Sequence, residues 1–147
     1  MEKDNKIYAV IDTNVIVSAL ISTQPGAAPL TVLANVFSGD ITPVFNDAII
    51  DEYREVLSRE KFHLKPQDID SVLSVIASYG LNLERTPADD ESFPDPKDII
   101  FYEVKMSKDD AYLVTGNKTH FPRKPFVVTP REMVYILAKQ EPEINIG

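Results

Sequence analysis

Three carboxylates of this chain, Asp12, Glu52 and Asp98, stand where an acid either caps a helix or binds a cation. Asp12 closes the apolar run Ile7-Tyr8-Ala9-Val10-Ile11, and Asp98 follows Pro94-Asp95-Pro96-Lys97 at the head of a helical segment. For both, N-capping is the ordinary alternative to a functional role. Glu52 is different. Within Ile49-Ile50-Asp51-Glu52-Tyr53-Arg54-Glu55-Val56-Leu57 the apolar stripe is Ile49, Tyr53, Val56 and Leu57, and Glu52 falls on it at helical spacing from Ile49 and Val56. A carboxylate on a core-facing stripe is costly unless it is paired or meets a cation. The alternative is a glutamate at the stripe's edge that reaches water or an arginine. A fourth segment, Tyr112-Leu113-Val114-Thr115-Gly116-Asn117, is a hydrophobic strand whose carboxyl end delivers Thr115 and Asn117 to the same rim.

Acids gathered at neighbouring strand ends suit a hard divalent cation, Mg²⁺ or Mn²⁺, which prefers oxygen ligands and keeps several waters. Such ions activate water and stabilise a departing oxygen in phosphodiester hydrolysis. That chemistry requires no nucleophilic serine or cysteine. The chain has no cysteine, no GxSxG motif and only two histidines, His63 and His120. His120, beside Phe121 in a loop, can touch substrate, although a solvated or packed histidine is the commoner reading.

The elements that position these residues are legible in the periodicity. Lys6 to Ile11 reads as a strand apolar on both faces, the pattern of a central parallel strand. Val15 to Ile21 opens a helix that Gln24-Pro25-Gly26 breaks, and Pro29 and Gly39 bracket a second helix. Ile41 to Phe45 is a strand, and Asn46 or Asp47 caps a helix reaching about Ser58. Pro66 to Tyr79 is a helix closed by Gly80, and Leu81 to Arg85 a third strand. Thr86 to Lys97 reads as a surface loop, and Asp98 starts a helix ending near Ser107. Strands follow at Ala111 to Thr115 and Phe126 to Thr129, joined by a turn at Gly116-Asn117 and a loop over Lys118 to Pro125, and Pro130 opens a last helix to about Lys139. The expected fold is α/β: a three-layer sandwich with a central, mostly parallel sheet of four to five strands flanked by helices. In such sheets function gathers at the carboxyl ends of the strands.

The 147 residues fit one domain over 1–147, with a core of about 6–139 and short polar tails. Apolar content of 44% and charged content of 26% are those of a globular protein. The N-terminal apolar stretch ends too soon for a signal peptide, and no segment is long enough to span a bilayer, so a soluble, cytoplasmic protein with no membrane association is expected. The absence of cysteine excludes disulfides and thiolate metal sites. The net charge of −8, from 15 basic and 23 acidic residues, is the wrong sign for a protein that grips nucleic acid mainly through phosphates. A clustered set of acids that binds divalent cations reverses the field locally.

These residues resemble the PIN-domain family. Val10-Ile11-Asp12-Thr13-Asn14-Val15 is similar to its opening motif, and Asp51-Glu52-Tyr53-Arg54-Glu55-Val56-Leu57 to its second, with Glu52 in the acidic position. Asp95-Pro96-Lys97-Asp98 and Leu113-Val114-Thr115-Gly116-Asn117 resemble the third and fourth. Order and spacing match from Ile7 to about Ala138, and the nearest likeness is to the toxin component of bacterial toxin–antitoxin pairs (VapC-like). The resemblance implies a Mg²⁺- or Mn²⁺-dependent endoribonuclease that leaves a 5′-phosphate. Asp12 and Asp98 are then the main metal ligands, with Glu52 binding directly or through water. Thr13 and Asn14 orient the first loop, and Thr115 sits beside the site. An RNA substrate, a cognate antitoxin protein that blocks the cleft, and a homodimer or higher oligomer are implied too.

One residue departs from the pattern. Many family members carry an acid where this chain has Asn117. Asparagine still offers a carbonyl oxygen but removes one negative charge, which weakens a second metal. Asp95 and Asp110 are the acids that can compensate, and each also reads as an ordinary loop or solvated acid. Two other functions remain open: a catalytically silent PIN module that binds RNA or a partner protein, and a receiver-like Mg²⁺-binding signalling domain. The second wants paired acids after the first strand, and here Asp12 is followed by Thr13 and Asn14.

Overall fold

A computed structural model describes residues 6–88 and 91–140. The polar tails expected at both ends lie largely outside these residues, as do positions 89 and 90 of the acidic loop. The apolar run Ile7–Ile11 forms strand β1. Helices α1 (Thr13–Ile21) and α2 (Ala28–Ser38) follow, then strand β2 (Ile41–Phe45) and helix α3 (Asp47–Leu57). Helix α4 (Pro66–Tyr79) leads into strand β3 (Leu81–Asn82). A 3₁₀ turn over Pro96–Asp98 runs into helix α5 (Ile99–Lys105), and strand β4 (Tyr112–Val114) comes next. A second 3₁₀ turn (Lys118–His120), strand β5 (Val127–Val128) and helix α6 (Pro130–Gln140) complete the described chain.

The strands form one five-stranded sheet in the order β3-β2-β1-β4-β5, with every pairing parallel. β1 is central because both its faces are apolar, and Ala9, Val10 and Ile11 are fully buried. Ile7 pairs with Ile41 of β2, and Ile11 pairs with Val114 of β4. Helices cover both faces, giving the α/β three-layer sandwich expected from the sequence. α2 packs on α1 and α6, whereas α5 packs on β1, β2 and β4 and joins α3. The order of strands reverses on the two sides of β1, so the carboxyl ends of β1 and β4 border the crevice where such sheets bind ligands.

Local chemistry sets the element ends. Gly39 closes α2 in the left-handed region at φ 90°. Gly80 closes α4 because no side chain fits: a Cβ would fall on the carbonyl oxygens of Ile76 and Pro43. Asn46 caps α3, its side chain accepting from the Ile49 N–H at 2.9 Å. The third strand is shorter than the Leu81–Arg85 run expected. β2 ends at Phe45, and the Leu83 N–H takes the last partner there, the Phe45 carbonyl, at 2.8 Å.

Candidate functional site

Asp12 leaves the end of β1 and starts α1, yet its side chain makes no cap hydrogen bond. It turns instead toward β4. The Asp12 N–H donates to the Val114 carbonyl at 2.8 Å, and the Thr115 hydroxyl donates to Asp12 Oδ2, also at 2.8 Å. Thr115 is wholly buried and Asp12 only 5% exposed. Asn14 closes the same junction, its Oδ1 accepting from the Gly116 N–H at 3.0 Å. The two strand ends are thus laced together around one carboxylate.

Glu52 reaches this point through its neighbour. Tyr53 is buried, and its hydroxyl donates to the carbonyl of Ile11, the residue before Asp12. Burial beside Asp12 pushes the Tyr53 hydroxyl well above the usual phenol range, so it stays a donor. That bond docks α3 on the carboxyl end of β1 and brings the half-buried Glu52 to the rim. Among the described residues Glu52 has no hydrogen-bond or ion-pair partner, so the awkwardness read from the apolar stripe is not relieved by an arginine.

Asp98 does not cap α5. Its backbone is already helical, at φ −77° and ψ −16°, and Asp95 holds the preceding turn by accepting from the Lys97 N–H at 3.0 Å. The Asp98 carboxylate is left facing the crevice with 13% of its side chain exposed. Its Oδ2 and Thr13 Oγ1 are the buried side-chain oxygens among the described residues that lack a hydrogen bond. Both residues line one cleft of about 400 Å³ together with Asp12, Asn14, Glu52 and Asp95.

The electrostatics follow from that crowding. Burial, joined by the nearby Glu52 charge, raises the Asp12 carboxyl above its ordinary value, against the Thr115 hydrogen bond, the Thr13 amide and His120. Burial also pushes Asp98 up to about 6, with Asp12, Asp95 and Glu52 adding repulsion and His120 opposing it. Carboxylates that repel one another across a polar cleft are arranged for a cation. No three acids or histidines among the described residues are close enough to cage an ion by themselves. The donor set therefore fits a hydrated Mg²⁺ or Mn²⁺, held by one or two carboxylates and its own waters, better than a stripped ion.

His120 also lines the cleft, with Nδ1 3.7 Å from Asp98 Oδ2. Its ring is oriented by Asn117. Asn117 Oδ1 accepts from the Thr119 N–H at 3.2 Å and the Thr119 hydroxyl at 2.6 Å, which assigns the amide's direction. Asn117 Nδ2 then donates to His120 Nε2 at 3.1 Å, leaving the neutral ring's proton on Nδ1, toward Asp98. Asn117 is exposed, caps the Lys118–His120 turn and is not part of the cleft lining. Asp110 pairs with Lys108 at 2.6 Å and also lies outside the lining.

Sequence reasoning passed over two residues of the site. Tyr53, on the apolar stripe, reads only as core. Arg59 lines the cleft and ion-pairs with Glu55 at 3.1 Å. Glu52 and Val56 line it one turn apart on α3, whereas Arg59 follows the helix end with extended backbone, so no helical pattern in the sequence points to it. The family model described as a PIN domain matches residues 8–119, more than half of the chain. No curated protein and no solved structure matches.

Proposed function

This chain belongs to the PIN-domain family, and on that premise we propose that it is a Mg²⁺- or Mn²⁺-dependent endoribonuclease whose hydrated ion is held by Asp12 and Asp98, with Glu52 reaching it through water. PIN domains are generally magnesium-dependent nucleases that act on RNA. The observation that carries the assignment is the buried Asp98 Oδ2, which has no hydrogen bond among the described residues, in a cleft it shares with Asp12 and Glu52. When bound, the ion activates water for attack on a phosphodiester and offsets charge on the departing oxygen.

The protein's own groups supply the rest. Thr115 orients the Asp12 carboxylate, Asn14 holds the β4 turn against it, and Tyr53 carries Glu52 to its place. Thr13 offers a buried hydroxyl with no other partner among the described residues. The His120 Nδ1 proton faces Asp98 and steadies that carboxylate, with Asn117 acting through the ring rather than on an ion. Arg59 sits on the cleft wall, where its guanidinium can meet a substrate phosphate.

The toxin role, with a cognate antitoxin over the cleft and a homodimer or higher oligomer, rests on the likeness of the four motifs to the toxin branch. A single domain over 1–147 in the cytoplasm fits that role. Among the described residues no helix is long and apolar enough to cross a membrane. The test is incubation of RNA with the purified protein and Mn²⁺ or Mg²⁺, with end analysis of the products. Cleavage leaving 5′-phosphates supports the proposal, and equal cutting in excess EDTA overturns the metal role. Neither cutting nor metal binding by calorimetry favours the silent module.

A further inference from the structure

Although the chain carries a net charge of −8, residues 111–131 contain no acid and four cations: Lys118, Arg123, Lys124 and Arg131. The loop from β4 to β5 in this segment separates two spaces. His120 faces the acidic cleft, and the residues flanking it in sequence, Thr119 and Phe121, line a second cavity of about 580 Å³. Lys118, Arg123 and Lys124 line that cavity together with Pro122 and Pro125. No acid lines it.

We propose that this cavity is a nucleotide subsite that holds the single-stranded RNA adjoining the scissile bond, with Arg123 on a phosphate and the Pro122 and Pro125 rings, backed by buried Phe121, against a base. The inference rests on the nuclease reading for its choice of RNA as occupant. Three features carry it. The cavity lies within the size range of small-ligand sites. Its apolar wall and cationic rim match the combination by which single strands are held, base faces on flat side chains and phosphates on cations. The cations can be used as well. Arg123 is exposed and has neither an ion pair nor a hydrogen bond among the described residues. Lys118 pairs with Glu132 at 3.1 Å and Lys124 with Glu91 at 3.2 Å. Exposed lysine–carboxylate pairs of this kind are worth about 0–1 kcal/mol, so a phosphate displaces them cheaply.

An exposed arginine in a loop is often only solvated, and an acidic peptide from a protein partner could seek the same charges. RNA is favoured because His120 lines the acid cleft while Thr119 and Phe121, its neighbours in sequence, line the cavity, so one strand crossing this loop can reach both. The test measures binding of a short, end-labelled oligouridylate by fluorescence anisotropy in EDTA, over a range of NaCl concentrations. Arg123→Glu is expected to weaken binding about tenfold at low salt and to lower the slope of log affinity against log salt by about one. Calorimetric Mn²⁺ affinity and the melting temperature should not change. Unchanged RNA affinity and slope in Arg123→Glu would overturn the proposal, as would displacement of the RNA by oligoglutamate at equal charge. Because no cleavage occurs in EDTA, failure here is separate from failure of the nuclease reading, which would show as absent metal-dependent cutting.

Discussion

Replacing Asp98 by asparagine is expected to make the metal-free protein more stable. The folded chain holds this carboxyl up to about 6, against an ordinary value of 3.8, through burial and the charges of Asp12, Asp95 and Glu52. Taken whole, the difference means that ionising Asp98 costs the fold about 3 kcal/mol relative to the unfolded chain. The cleft is open to solvent, which screens part of the repulsion, so about 1–2 kcal/mol is the expected effect. As pH rises, the unfolded chain releases this proton first, so stability falls from about pH 4 to about pH 6 and stays lower above. Asparagine cannot ionise and escapes that loss. Urea unfolding followed by circular dichroism in EDTA should show Asp98→Asn more stable at about pH 8, with the gain vanishing toward about pH 4. Adding Mn²⁺ should reverse the ranking, because ligand at a hundredfold its Kd stabilises the native state by about 3 kcal/mol and the wild type binds it better. A variant less stable than wild type at the higher pH, or a gain independent of pH, refutes the reasoning.

Other perturbations probe the scaffold. Tyr53→Phe removes the donor to the Ile11 carbonyl and should cost about 1–3 kcal/mol in urea unfolding, with weaker Mn²⁺ binding in calorimetry. Glu103→Ala should cost about 2–3 kcal/mol, since its buried carboxylate accepts from the Ala88 N–H at 2.7 Å and Arg85 Nε at 2.9 Å. Hydrogen exchange at Ala88 should speed up as the loop before Asp98 loosens. Gly80→Ala should destabilise by about 2–4 kcal/mol in thermal unfolding, because its methyl would meet the Pro43 carbonyl oxygen at 2.5 Å and Phe45 Cε1 at 2.8 Å.

Strong local signals made much of the fold legible. A strand apolar on both faces is central in a parallel sheet, so β1 and the acid at its end could be placed from the sequence. Pro66 and Gly80 marked both ends of α4, and Glu52 announced itself by interrupting an apolar stripe. The features that escaped depend on partners distant in the chain. Whether Asp12 caps α1 or faces the cleft is decided by Thr115, and nothing local to Asp12 encodes that choice. Capping stays open for Asp98 in the sequence because Asp95, the residue that caps the preceding turn, lies in an irregular loop. Asn117 stands at the fourth motif position, and its amide meets Thr119 and His120, contacts that only the 3₁₀ turn creates and that the motif does not announce. β3 was over-extended because the end of its partner strand cannot be seen from its own residues.

The most direct test is RNA cleavage by the wild type and Asp12→Asn, side by side, with Mn²⁺ present. Asparagine keeps the size of the side chain and can still accept from Thr115, so a folded variant is expected, and a matching melting temperature checks this. The account predicts that wild type cuts in Mn²⁺ and stops in EDTA, and that folded Asp12→Asn does not cut. Cleavage by Asp12→Asn at the wild-type rate would contradict it.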